Sequence, residues 1–342
     1  MTLTTALITF AICSLIVVAA GTALAWCGDA IAELTGFGRL LVGSILIAGA
    51  TSLPELVVDI TAIRNNMPDL AVGDLLGSSL MNLLILAGLD WWYHSARRAF
   101  SRESIGHALS AMAGILTTSL VIFGIASGSR LGGVALVGIS PILWLVGIAY
   151  IFGVRLIFRD QQLARQQHQE VLVPAAVEGA STMSLKVAIA GFVAAAGVIV
   201  LVGPSLSISA GVIADQTGLG RTFVGTTLVA LTTSLPELVA SIVAVRMGAF
   251  DLAAGNIFGS NAFNMLLLLP LDALFPGNLL AAVSPDHIVT GAAAVTVTSV
   301  AVIGQLYGES KRQRVIDPDA ILVIVLILAA LYVLYVLGQQ HG

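Results

Sequence analysis

Long apolar runs, separated by short polar breaks, recur from one end of the chain to the other. A helix needs ~20 residues to cross the ~30 Å hydrocarbon core of a bilayer. The pattern predicts ten spanning helices, at about 4–26, 40–64, 69–90, 106–127, 133–157, 185–207, 222–246, 251–271, 286–307 and 318–338. The longest polar break, 158–184, holds Arg159, Asp160, Arg165, Glu170, Pro174 and Glu178. It is too short for a soluble domain. It reads as a linker, opened by a short amphipathic helix, between a five-helix half at 1–157 and another at 185–342. The first run lacks a basic leader and a cleavage site, so it reads as a retained helix rather than a signal peptide. The expected fold class is an all-α polytopic membrane protein.

Composition agrees. Of 342 residues, 58% are hydrophobic and 10% charged, with a mean hydropathy of +1.00, where soluble domains carry roughly 25% charge. The expected partner is the lipid bilayer, with no nucleic acid and no obligate protein partner. Cys13 and Cys27 lie in and at the end of the first run and read as small buried hydrophobes.

Lys and Arg placement orients the chain. With the N-terminus outside, Arg39, Arg97, Arg98, Arg102, Arg155, Arg159, Arg165, Lys186, Arg246, Lys311, Arg312 and Arg314 fall inside, and only Arg64, Arg130 and Arg221 fall outside. Both termini are therefore expected outside and the linker in the cytoplasm, in a plasma or inner membrane. Five helices per half is an odd number, so the second half must cross the membrane inverted.

The two halves share a repeat. Residues 36–84 and 218–266 align without a gap at an offset of 182, with 25 of 49 positions identical. Thr51, Ser52, Pro54 and Glu55 match Thr233, Ser234, Pro236 and Glu237, and Ser78 and Asn82 match Ser260 and Asn264. Glu55 and Glu237 fall near mid-membrane. An unpaired carboxylate there costs a few kcal/mol, and no Lys or Arg lies at comparable depth. A mobile cation or a proton is the missing partner. Pro54 and Pro236 break the hydrogen-bond ladder, freeing the carbonyls of Ala50 and Thr232 and letting those of Ala48 and Ala230 splay. Broken helices at membrane depth are tolerated where the loose backbone lines a cavity or binds ions. Asp74, Ser78 and Asn82 share one helix face, as do Asn256, Ser260 and Asn264, with Gly73, Gly77, Gly255 and Gly259 beside them for close helix approach. Carboxylates, hydroxyls, amide oxygens and backbone carbonyls, without His or Cys, suit hard cations such as Ca²⁺, Na⁺ and Mg²⁺.

The doubled Ser-Leu-Pro-Glu and Gly-Ser-x-x-x-Asn segments resemble the α-repeats of the calcium/cation antiporter superfamily, sodium/calcium exchanger branch. The resemblance covers nearly the whole chain. It implies ten helices in two inverted repeats and exchange of Ca²⁺ for Na⁺, or for H⁺ or K⁺, by alternating access, the ions binding as substrates with no cofactor. It implies ligands at Thr51, Ser52, Glu55, Ser78 and Asn82 from the first half, and at Thr233, Ser234, Glu237, Ser260 and Asn264 from the second. The carbonyls of Ala48 and Ala230 would add to them. It also implies that the first and sixth helices slide against the rest.

The copies disagree in places. Asn264 stands where many such exchangers have Asp. With two glutamates as the only core charges, the expected exchange is electroneutral, two monovalent ions per Ca²⁺. Asp59 faces Ser241 in the alignment and Asp74 faces Asn256. Each Asp reads either as an access-path or proton-linked carboxylate, or as a hydrated acid near a vestibule mouth. Asp69 and Asp251 read as helix N-caps, and Trp91, Trp92 and Tyr93 as an interfacial belt. His94, His107, His168, His287 and His341 fall at ends and loops without metal spacing. Two other classes are open to a chain of this kind: a cation channel, and an intramembrane aspartyl enzyme using Asp59 and Asp74.

Overall fold

The computed structural model describes residues 1–35, 49, 51–92, 104–131, 135–168, 183–246, 250–307 and 318–341. Among them the chain is helical: α1 (Leu3–Thr35), α2 (Leu53–Arg64), α3 (Pro68–Trp92), α4 (Ser104–Leu131), α5 (Pro141–His168) and α6 (Leu185–Thr217). There follow α7 (Arg221–Thr233), α8 (Leu235–Arg246), α9 (Phe250–Leu274), the one-turn α10 (Leu279–Ala282), α11 (Asp286–Tyr307) and α12 (Pro318–His341). Eight of these are long and apolar enough to cross a membrane, and the bent pair α7–α8 makes a ninth. The first part of the expected 40–64 span, including Ala48 and Ala50, lies outside the described residues.

Local chemistry sets the ends. Proline, whose missing N–H costs nothing in the first turn, opens α3, α5 and α12. The Ser184 hydroxyl accepts from the Val187 N–H at the start of α6, and Gly218, at φ 72°, ends it in the left-handed conformation. Pro236, unable to donate, separates α7 from α8 with a bend of 42°.

The offset of 182 reaches beyond the aligned motif. Added to the bounds of α1, α2 and α3, it gives the bounds of α6, α8 and α9 residue for residue, and added to the start of α4 it gives the start of α11.

Two expectations change. α1 and α6 each run 33 residues, about 50 Å at 1.5 Å per residue, well past the expected ends at 26 and 207. Helix formers such as Ala30, Ile31 and Ala32, or Val212, Ile213 and Ala214, continue the helix after the most apolar stretch. α5 continues to His168, so the linker begins inside a helix; 169–182 lie outside the described residues.

Packing sorts the helices. α3 is almost wholly buried, whereas α1, α5, α6 and α12 turn large apolar side chains outward, such as Leu15, Ile148, Leu201 and Leu328. α1 and α6 pack against each other more extensively than any other pair of described helices. Backbone meets backbone where α3 crosses α7. A Cβ on Gly73 would lie 2.9 Å from the Thr222 carbonyl oxygen, and one on Gly77 would overlap the Thr226 backbone. At that crossing α7 widens into a π turn, Gly225–Val229, a bulge that often marks functional sites.

Candidate cation site

The two chain breaks bring the paired motifs together at the centre of the molecule. Glu55 lies in the first turn of α2 and Glu237 in the first turn of α8, where the helix dipole favours negative charge. Both are fully buried. Each glutamate lies beside the threonine of the other half, Glu55 by Thr233 and Glu237 by Thr51, and the two glutamates lie within electrostatic reach of each other. None of their four carboxyl oxygens completes a hydrogen bond.

The flanking residues are also buried. Ser78 meets Thr233, hydroxyl to hydroxyl, at 3.3 Å. Ser52 donates to Asn264 Oδ1 at 3.2 Å, joining the two halves. Asn82 Oδ1, Ser234 Oγ and Ser260 Oγ have no partner. The Ala230 carbonyl accepts from the Ser234 N–H at 3.0 Å, so it is engaged, though with a lone pair to spare. Asn264 leaves its Nδ2 unpartnered. Its Oδ1, which accepts from Ser52, keeps a second lone pair for a cation. Of the expected ligands, Thr51, Ser52, Glu55, Ser78, Thr233, Glu237 and Asn264 meet across the two halves, Asn82, Ala230, Ser234 and Ser260 are buried, and Ala48 lies outside the described residues.

Asp59 and Asp74 correct one of their two readings. Both are fully buried, so neither is a hydrated acid at a vestibule mouth. Asp74 Oδ1 accepts from Thr233 at 2.9 Å and from Ser78 at 3.4 Å, and the Asp59 carboxyl faces those of Asp74 and Glu55. No described basic side chain pairs with any of the four acids.

Other buried acids show what a structural role looks like. Asp272 accepts 2.7 Å bonds from the Ser140 and Leu279 N–H groups, tying α9 to the starts of α5 and α10. Asp69 is not an N-cap of its own helix. It accepts from the Ser284 N–H at 2.6 Å and contacts His287 Nε2 at 3.1 Å, holding the start of α11. His287, expected in a loop region, is fully buried. The Asp251, Trp91 and Trp92 side chains, and Tyr93, lie outside the described residues.

One contributor was not foreseen. Asn82 donates to Asn261 Oδ1 at 2.9 Å, and Asn261 donates to the Ser79 carbonyl at 3.2 Å. Asn261 thereby holds the Asn82 amide so that its oxygen stays unpartnered. Its counterpart in the first copy is Ser79. A polar residue at this register in both copies was the available signal.

Among the described residues no three His, Cys, Asp or Glu side chains converge as a metal cluster. The site is instead two carboxylates among hydroxyls and amides, a donor set for a hard cation.

Comparison with known proteins agrees with this chemistry. The chain is 31% identical over 269 residues to "Inner membrane protein YrbG" of Escherichia coli (strain K12), covering 78% of each chain. It is 31% identical over 252 residues to "Putative antiporter CaxA" of Alkalimonas amylolytica, covering 73% of this chain and 74% of the relative. It is 50% identical to "Sodium/calcium exchanger MaX1" of Methanosarcina acetivorans over 62 residues, 18% of each chain. Its fold is similar to that of an H⁺/Ca²⁺ exchanger named CAX, with a TM-score of 0.70 at 14% identity over 98% of this chain and 86% of the other. It is likewise similar to the sodium–calcium exchanger NCX_Mj, with a TM-score of 0.59 at 21% identity over 97% and 99%. The model of the family described as "Sodium/calcium exchanger protein" matches residues 5–154 and 187–340, most of both halves. The chain belongs to the sodium/calcium exchanger protein family.

Proposed function

We propose that this protein is a secondary active antiporter that exchanges Ca²⁺ for Na⁺, with both ions competing for the site between Glu55 and Glu237. One observation carries the reading: two fully buried glutamates, one from each half, lie within electrostatic reach of each other with no basic partner among the described residues. A buried carboxylate in that state needs a cation or a proton, and oxygen donors from both halves favour the cation. The hydroxyls of Thr51, Ser52, Ser78, Thr233, Ser234 and Ser260, the amides of Asn82 and Asn264, and the carbonyls of Ala48 and Ala230 complete its shell.

The remaining architecture follows the same reading. Ten helices form two inverted halves, 1–157 and 185–342, joined by a cytoplasmic linker at 158–184, with both termini outside. The helix bounds that repeat at an offset of 182 support the two-fold plan. Access alternates as α1 and α6, packed on each other, slide past the broken helices. A Cβ on Gly21 of α1 would lie 3.1 Å from Pro236 Cβ and 3.7 Å from Pro54 Cγ, so the moving pair touches both breaks. A cation channel needs no such pair, and sites drawn from both halves of one chain favour a carrier.

The relatives differ in the coupling ion their names state, Na⁺ for one and H⁺ for another. ⁴⁵Ca²⁺ uptake into proteoliposomes under imposed Na⁺, K⁺ or pH gradients tests the choice. Uptake driven by an outward Na⁺ gradient is expected. Uptake driven only by a pH gradient would make the protein an H⁺-coupled antiporter, and ohmic single-channel current would remove the antiporter reading altogether.

A further inference from the structure

One side chain ties the end of α6 to the rest of the molecule. Arg221, the first residue of α7, forms a two-pronged ion pair with Asp215 of α6, Nε to Oδ1 at 3.0 Å and Nη2 to Oδ2 at 2.8 Å. Its third nitrogen, Nη1, donates to the Asn66 carbonyl at 3.0 Å, in the turn between α2 and α3. Asp69, which holds the start of α11, lies within electrostatic reach of the same guanidinium. The turn that carries Arg221 back to Asp215 is Gly218-Leu219-Gly220, with both glycines at positive φ, 72° and 77°. It is seated on α12: a Cβ on Gly338 would lie 2.9 Å from the Leu219 carbonyl oxygen. Beside the fork, Gln216 Nε2 donates to the Met1 carbonyl at 2.9 Å, so the start of α1 is fastened to the end of α6. A lone exposed ion pair contributes little. The planar guanidinium here makes three bonds at once, in the geometry that gives arginine its specificity. The motif is also written twice. Asp215, Thr217, Gly218, Gly220 and Arg221 match Glu33, Thr35, Gly36, Gly38 and Arg39 at the offset of 182. Residues 36–39 lie outside the described residues.

We propose that the Asp215–Arg221 fork is a latch on the slide: it fastens the α1–α6 pair to the α2–α3 turn in one access state and releases it in the other. The proposal rests on the reading of α1 and α6 as the moving pair. Met1, Gln216 and Asp215 belong to that pair, whereas Arg221 and Asn66 belong to the elements that hold the site. Hydrogen bonds of 2.8–3.0 Å do not survive a displacement of a few ångström, so α6 cannot slide with the fork closed. A contact made in only one of two states shifts the balance between them. Breaking it therefore favours the released state. Because each state opens the site to one face, apparent Ca²⁺ affinity must rise at one face and fall at the other.

⁴⁵Ca²⁺–Ca²⁺ exchange, which needs no counter-ion, tests this in right-side-out and inverted membrane vesicles. The half-saturating Ca²⁺ concentration is read at each face for the wild type, Asp215→Asn, Arg221→Gln and the double variant. Each single variant should move the two values in opposite directions, by about two- to fivefold, the span that one exposed ion pair allows. The double variant should move them no further than Arg221→Gln alone. Asp215 is exposed, so Asp215→Asn carries the test if the arginine variants do not fold. Values unchanged at both faces overturn the proposal, and so do values that shift the same way at both, which is the mark of a merely structural bond. The oxidised Ser14→Cys/Thr232→Cys protein, run in parallel, separates the readings. Exchange that survives that cross-link removes the slide and the latch with it. Exchange that stops there, beside unchanged half-saturation in Asp215→Asn, removes the latch alone.

Discussion

Asp74 Oδ1, in the first half of the chain, accepts a 2.9 Å hydrogen bond from the hydroxyl of Thr233, in the second. This bond joins α3 to the end of α7, where the chain breaks. A hydrogen bond to a buried charged group contributes about 1.5–3 kcal/mol. A double-mutant cycle of Thr233→Val and Asp74→Asn, read by thermal unfolding in detergent, should give a coupling of that size. Additive effects would mean that the two side chains do not meet.

The crossing of α3 and α7 should be intolerant of a single methyl. Gly77→Ala forces a Cβ into the Thr226 backbone, and overpacking of this kind costs about 1–3 kcal/mol. Gly197, in α6, has no described atom within 4 Å of the position its Cβ would take. Gly197→Ala should leave the unfolding temperature unchanged or raise it, while Gly77→Ala lowers it.

Sliding of α1 with α6 can be separated from sliding of α1 past α7. Cys27 Sγ lies 2.7 Å from where a Cβ on Gly191 would sit. Oxidised Gly191→Cys should therefore bond to the natural Cys27, within disulfide reach, joining α1 to α6 and sparing Ca²⁺ uptake. Ser14 and Thr232 meet hydroxyl to hydroxyl at 3.3 Å. The Ser14→Cys/Thr232→Cys pair should pin α1 to α7 when oxidised and stop uptake, with recovery on reduction. Uptake that survives the second cross-link contradicts the sliding scheme.

Asn261→Ala should weaken Ca²⁺ binding without removing a ligand. It leaves the Asn82 amide nitrogen buried and unpaired, a penalty of about 1–3 kcal/mol, which the amide escapes by turning its oxygen away from the site. Binding isotherms should show the loss, and Asn261→Gln should not restore it, because the longer side chain misplaces the bond.

Much of this site was legible because the chain states it twice. Thr51, Ser52, Pro54 and Glu55 recur at 233, 234, 236 and 237, and a carboxylate beside a proline in an apolar run has few neutral explanations. What stayed hidden depends on side chains meeting across the sequence. Asn261 is not identical between the copies, so the repeat did not single it out. Asp69 and His287 are 218 positions apart, and nothing local announces their contact. The reach of α1 and α6 was missed because hydropathy reports where the bilayer ends rather than where the helix does. Asp59 and Asp74 were noticed as breaks in symmetry, but only packing shows them buried beside Glu55. The expectation of two monovalent ions per Ca²⁺ counted the glutamates alone. Asp59 and Asp74, buried beside Glu55, were left out of that count.

The central claim is that Glu55 and Glu237 together hold the transported ion. The direct measurement is Na⁺-gradient-driven ⁴⁵Ca²⁺ uptake by Glu55→Gln and Glu237→Gln proteins beside the wild type, each confirmed folded. Glutamine keeps the shape and removes the charge, so both variants should fall to the level of protein-free liposomes. Near-normal uptake in either one would contradict the account.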